Sequence, residues 1–396
     1  MPAGIWALGF VSLLMDVSSE MIHALLPIYL VTVLGASSTA VGVIEGIAEA
    51  TAAITKIFSG ALSDWLGKRK LLTVIGYGLA AVTKPIFPLA TTLEWLIGAR
   101  FIDRVGKGIR GAPRDALVAD ITPAHLRGAA YGLRQALDTV GAVLGPGLAI
   151  LVMYLTFNNF QTVFWVAVLP AFAAVAVLVL FVREPKAPEG RRKVKAPLSF
   201  AELGRLGGAF WLVTGVGTMF TLARFSEAFL LLKAQSAGLA IALVPATLVA
   251  MNVAYTLAAY PAGALSDRTH RISVLAVGFA LLFAADLILA FGHGLGFVAA
   301  GVVLWGLHMG FTQGLLASLV ADTAPVELRG TAFGVFNMAG GLALLVASVA
   351  AGMLWDAAGP AAPFAAGAVV TGLALAGLGI IRWRMPQIGR ADGRQG

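Results

Sequence analysis

Five basic side chains, Arg100, Arg104, Lys107, Arg110 and Arg114, follow one another at steps of four, three, three and four residues. At 3.6 residues per turn these steps confine the cations to one face of a helix, about a third of its circumference wide. If that helix lies in a membrane, the face cannot meet lipid, because each central cation would cost ~2.5 kcal/mol or more against hydrocarbon. It must look into water or onto carboxylates. Carboxylates at matching spacings are at hand: Asp16 and Glu20 in line with His23, Glu45 and Glu49 with Lys56, Asp138 one turn from Arg134, and Asp103 and Asp115 within the basic run itself. Two chemistries follow. A carboxyl near mid-membrane can take up and release a proton as a cavity opens to either side, with Glu20 and Asp16 the first choice, then Glu49 and Asp103. Alternatively the cationic face, Arg104 and Lys107 helped by Arg134, binds an anionic substrate through bidentate hydrogen bonds. The bland alternative is structural: acids and bases neutralise one another and fix helix packing.

The elements that must position these residues follow from composition. With 59% hydrophobic and 12% charged residues, the 396-residue chain has too little charge to cover its surface against water. Apolar stretches near 5–33, 40–62, 71–90, 93–117, 126–155, 160–182, 209–233, 240–265, 272–292, 296–319, 327–354 and 360–383 each approach the ~20 residues that cross ~30 Å of hydrocarbon as a helix. An all-α membrane protein of twelve spans is therefore expected. Lys68, Arg69 and Lys70, the bases from Arg183 to Lys195, Arg268 and Arg271, and Arg382 to Arg394 all fall on one side of this map, while the turns near Gly35, Asn158, Ser236 and Gly292 lack Lys and Arg. The positive-inside rule then places both termini in the cytoplasm of a cell membrane, on this pattern a bacterial inner membrane. The net charge of +8 is explained by these loops and requires no nucleic-acid partner. The first stretch lacks a basic start and a cleavage site, so it reads as a retained helix and not a signal peptide.

The chain also repeats itself. Gly60-Ala61-Leu62-Ser63-Asp64 recurs letter for letter as Gly263-Ala264-Leu265-Ser266-Asp267, and Ala119-Asp120 with Pro123, Leu126, Arg127 and Gly128 returns as Ala321-Asp322 with Pro325, Leu328, Arg329 and Gly330. Two halves in the same orientation point to a transporter with a site between them. The Pro-rich, basic segment Glu184–Gly208 divides them, giving a bundle over 1–183, a cytoplasmic linker over 184–208 with a short surface helix from Ser199, and a second bundle over 209–396.

On these residues the chain resembles the major facilitator superfamily along essentially its whole length. Gly60 to Lys70 is similar to the superfamily's signature loop between helices 2 and 3, and Gly263 to Arg271 to its weaker echo between helices 8 and 9. The resemblance implies a twelve-helix fold of two six-helix bundles, alternating access, and a cytoplasmic gate formed by Gly60, Asp64, Arg69, Arg127, Asp267 and Arg329. Gly141, Gly145 and Pro146 resemble a helix-5 motif that the family associates with exporters of the antiporter type, although Leu148 and Ala149 depart from its usual ending. Whatever the direction of transport, such a cluster kinks a helix and permits close packing. The family places one Arg near Arg100 or Arg104 and associates it with proton coupling; several are present here.

The second half is less charged. Arg224 and Glu227 lie three apart in register with Glu20, and pseudo-symmetry places them across the cavity from Asp16 and Glu20 as further substrate-binding residues. Asp286, His308, Gln313 and Asn337 are isolated polar residues expected to pack or hydrogen-bond, and Phe220, Phe225 and Phe229 either line an apolar pocket or, as is usual for aromatic residues at such spacings, face lipid or neighbouring helices. With no cysteine and five scattered histidines, the chain offers no metal cage, and Gly106-Lys107-Gly108 follows no strand and is no phosphate loop. A membrane-embedded enzyme lacks a nucleophile or metal constellation here, and a receptor or scaffold has no use for two gates. The expectation is a monomeric, proton-coupled secondary transporter driven by the proton gradient without a cofactor, exporting a small amphipathic drug or metabolite, with transport of an organic anion or metal chelate as the alternative.

Overall fold

The computed structural model describes residues 1–123, 126–184, 203–325 and 328–384. The expected surface helix from Ser199 begins outside them, as do the side chains of Asp64, Arg127, Asp267 and Arg329. The described residues fold into helices and turns, with no strand among them. The first half runs α1 (Ala3–His23), α2 (Leu26–Thr32), α3 (Ser38–Leu66), α4 (Arg69–Thr83), α5 (Ile86–Leu89), α6 (Leu93–Ile121), α7 (Arg127–Leu155) and α8 (Phe160–Phe181). The second runs α9 (Gly208–Ala223), α10 (Ala228–Ser236), a 3-10 turn (Ile241–Leu243), α11 (Ala246–Arg268), α12 (Arg271–Phe291), α13 (Leu295–Thr323), α14 (Arg329–Ala358) and α15 (Ala362–Arg384).

These elements make twelve crossings once the interrupted rods α1–α2, α4–α5 and α9–α10 are each taken as one. Pro27 and Pro85 sit at two of the interruptions, where a missing N–H and a fixed φ break the helical ladder. Ten of the crossings are apolar and long enough to span a bilayer. The other two are α3 and α6, whose carboxylates and basic stripe dilute their apolar character while leaving length enough to cross. Only a third of the apolar window of α8 is buried within the protein, although it is the most apolar of the ten. Such a surface is stable against lipid and not against water.

The chain divides into two compact units. One comprises Met1–Ala36, Ile47–Pro197 and Ala240–Val249; the other Ser37–Gly46, Leu198–Leu239 and Ala250–Gly396. The sequence divides at its linker, yet the first turns of α3 are grouped with the second half and the start of α11 with the first. Within the first unit α1 packs on α7 and α8, and α4 on α6 and α8. Within the second, α9 packs on α14 and α15, and α12 on α13 and α15. The internal repeat is thus expressed as the same packing scheme twice.

Each unit also repeats one ion pair. Arg69 Nη1 donates to Asp120 Oδ2 at 2.6 Å and to the Ala116 carbonyl at 2.9 Å, tying the start of α4 to the end of α6. Arg271 and Asp322, each 202 residues further on, pair in the same way between α12 and α13. Arg69, expected in a gate, therefore has a partner inside its own unit.

Candidate functional site

In the first unit the charged residues are drawn together by glycines. A Cβ at Gly141 would lie 2.7 Å from the Leu13 carbonyl and 3.0 Å from Asp16 Cβ, and one at Gly145 would lie 2.7 Å from Glu20 Cβ. The Gly-Pro segment of α7 thus holds α1 at backbone distance and sets the height of both its acids. On the other flank Gly76 of α4 and Gly106 of α6 meet backbone to backbone, a Cβ on either being within 2.7 Å of the other's carbonyl oxygen. Gly106-Lys107-Gly108 is accordingly a helix-packing segment inside α6.

The basic stripe of α6 faces carboxylates and an aromatic ring. Arg104 Nη1 is 3.1 Å from Glu49 Oε1, and its Nε is 3.8 Å from Asp103 Oδ2. Arg110 lies over the Tyr77 ring at 4.7 Å, a cation–π contact. Arg114 pairs with Asp115 at 3.1 Å and reaches Ser12 Oγ at 3.2 Å. Arg134 of α7 completes the line, 3.5 Å from Asp138 and 3.8 Å from Asp115. On α1, Glu20 Oε2 is 3.4 Å from His23 Nδ1, and the Asp16 carboxyl meets that of Asp138 within hydrogen-bond reach.

Lys84 was not singled out by the sequence reading, yet it is central to this network. It closes α4 just before Pro85, is 1% exposed, and places Nζ 2.9 Å from Asp103 Oδ1 and 3.1 Å from Ser19 Oγ. A lone lysine in an apolar span was signal enough to name it, because such a residue needs a partner.

Accessibility differs across the network, with Asp103 at 3% and Glu45 at 1% as buried as the arginines. Arg100, Arg104 and Arg110 are buried at 2%, 3% and 5%, whereas the side chains of Glu49, Glu20 and Asp138 retain 33%, 25% and 24%. Glu49, Glu20 and Asp138 are thus more accessible than Arg100, Arg104 and Arg110, while Lys107 is exposed and Arg114 part-exposed.

The second unit is built differently. The rod α9–α10 breaks at Arg224–Glu227, with Arg224 Nη2 3.8 Å from Glu227 Oε1 and the Ser226 amide donating to Ser348 Oγ at 3.1 Å. These two residues lie in the second unit, and Asp16 and Glu20 in the first. Phe220, Phe225 and Phe229 face neighbouring helices. All three are buried, Phe220 stacked on Phe279 at 3.8 Å and Phe225 packed against Phe229, Trp305 and Phe364, because a broken helix offers aromatic rings a close-packed interior. Asp286 and His308 are fully buried, Asp286 beside the Thr371 hydroxyl and His308 beside the Trp305 backbone. Both pack inside the second unit, the His308 ring edge-on to Phe220 and Trp305. No group of three or more His, Asp or Glu residues able to hold a metal ion occurs among the described residues.

The family model described as Major Facilitator Superfamily matches residues 8–251 and 212–394. A relative from Methanocaldococcus jannaschii, named as an uncharacterized MFS-type transporter, is 33% identical over 383 residues, covering 94% of each chain. The quinolone resistance protein NorA of Staphylococcus aureus is 30% identical over 144 residues, 36% of this chain and 37% of its own length. Among solved structures, the nucleoside transporter NupG aligns over 96% of this chain and 99% of its own with a TM-score of 0.81 at 12% identity, a likeness of fold.

Proposed function

This chain belongs to the major facilitator superfamily of membrane transporters, and on that premise we propose that it exports a small amphipathic compound in exchange for protons by alternating access. The observation that carries the reading is a set of four part-exposed carboxyls in the first unit, Asp16, Glu20, Glu49 and Asp138, beside buried Arg100, Arg104 and Arg110. A carboxyl–carboxyl hydrogen bond such as that of Asp16 with Asp138 requires one proton between two oxygens, so the pair is a natural carrier. Asp103 sits behind them, locked between Lys84 and Arg104, and acts as an electrostatic support. The partial similarity to a quinolone resistance protein supports a drug as the substrate. Both termini lie in the cytoplasm, and the driving force is the proton gradient.

Purified protein in liposomes with an imposed pH gradient tests this. A fluorescent amphipathic cation should move against the proton flow, and Glu49→Gln should abolish that movement while the protein stays folded. The second reading, transport of an organic anion, is favoured by the exposure of Lys107. It predicts that Lys107→Gln abolishes uptake of a carboxylate probe and that the cationic probe is not moved.

A further inference from the structure

The last turn of α14 grips the first turn of α3. Asp356 Oδ1 accepts from the Ser38 amide at 3.0 Å, and Oδ2 accepts from the Thr39 amide at 2.8 Å and the Thr39 hydroxyl at 2.7 Å, across more than 300 residues of sequence. The next amide, Ala40, donates to Ser37 Oγ at 3.1 Å, and Val41 begins the helical ladder on the Ser37 carbonyl at 3.2 Å. Two of the donors that a helix start leaves without an intrahelical acceptor are therefore satisfied by one remote carboxylate, which also opposes the positive end of the helix dipole.

Below this cap the two helices touch backbone to backbone. A Cβ at Gly352 would lie 2.5 Å from the Ser38 carbonyl, one at Gly42 would lie 2.1 Å from the Ser348 carbonyl, and one at Gly46 would lie 2.9 Å from Leu345 Cδ1. Gly42 and Gly46, one turn apart, form the small-residue seam that lets helices approach most closely in a membrane. All of these residues lie in the second unit, while α3 from Ile47 onward belongs to the first.

The counterpart joint in the first unit lacks the cap. There α7 meets the 3-10 turn Ile241–Leu243 ahead of α11, and the residue 202 positions before Asp356 is Tyr154, 76% exposed. A carboxylate present in one of two related joints is a specific addition to the repeat.

We propose that Asp356 is a positioning residue of the transport cycle: its cap on Ser38 and Thr39 latches the start of α3 to α14 in this conformation and opens when the transporter alternates. The inference rests on the alternating-access reading. The carboxylate is exposed, so water replaces it on both helix ends when the joint parts. The latch therefore biases the equilibrium without locking it.

The chain has no cysteine, so Val33→Cys in the loop before α3 and Ala357→Cys at the end of α14 give two unique sites for spin labels. In liposomes, electron–electron distances should show two populations that exchange on adding a transported amphipathic cation. Asp356→Ala and Asp356→Asn should each deplete the short-distance population roughly fivefold, with Thr39→Val giving a smaller shift in the same direction and the thermal unfolding temperature reporting that each variant is folded. Two populations that neither Asp356 variant redistributes would overturn the latch. A single population unaffected by substrate and pH would overturn alternation itself.

Discussion

Lys84 and Asp103 form an ion pair of 2.9 Å, with the two side chains 2% and 4% exposed, at the point where α4 is interrupted before Pro85. Neither is a plausible isolated charge in a membrane, and each makes the other tolerable. Removing one partner leaves the other buried and uncompensated, the costly case, whereas removing both is far milder. Lys84→Met should destabilise the protein by about 3 kcal/mol, and adding Asp103→Leu should recover most of the loss. Thermal unfolding in detergent checks this. Little dependence on salt is expected, since water and ions do not reach the pair.

Gly145 and Gly147 provide an internal comparison on one helix. A Cβ at Gly145 would collide with Glu20 Cβ at 2.7 Å and the Val17 carbonyl at 2.9 Å, whereas nothing lies within 4 Å of one at Gly147. Gly145→Ala should cost about 1–3 kcal/mol and reduce transport, because α1 must shift and carry Glu20 with it. Gly147→Ala should be neutral or stabilising by about 0.5 kcal/mol, the ordinary gain of alanine over glycine in a helix. Unfolding temperature and initial transport rate, measured on both, separate packing from the mere presence of a methyl group.

Asp16 and Asp138 act as one group if they share a proton. Asp16→Asn and Asp138→Asn should then each abolish proton movement on substrate addition, and the double variant should be no worse than either single one. Proton release measured with a pH dye in weakly buffered detergent provides the readout. Additive losses across the three variants would show that the two carboxyls work separately.

Asp286 is 0% exposed with the Thr371 hydroxyl beside it, and burying a carboxyl there costs stability that an apolar side chain would not. Asp286→Leu should raise the unfolding free energy by about 1 kcal/mol or more. Retained transport in the stabilised variant would confine Asp286 to packing. Loss of transport despite the gain would identify it as a working residue kept at the expense of stability.

Much of the site could be read in the sequence because its logic is local. The four- and three-residue steps of the α6 stripe put Arg104 and Arg110 on one face whatever they touch, and Asp16 and Glu20 on α1 follow the same periodicity. Gly141 and Gly145 announced close packing, and the structure shows the packed partner to be the face of α1 that carries those acids. Lys84 and Asp356 were passed over because each stands alone in its own segment. Lys84 is explained by Asp103 and Ser19 on other helices, and Asp356 by Ser38 and Thr39 more than 300 residues away.

The sequence by itself determined that this is a helical membrane protein of twelve crossings built from two similar halves. Apolar length, the placement of bases and the doubled Gly-Ala-Leu-Ser-Asp string depend on the bilayer as solvent and on the order of residues along one chain. Tertiary structure alone decided which charge faces which: that Arg69 closes on Asp120 as Arg271 does on Asp322, that Arg104 withdraws behind Glu49, and that Asp356 completes the start of α3. In a low-dielectric interior a charged or unsatisfied polar group must find its partner wherever packing brings one, and packing joins residues that no local periodicity relates.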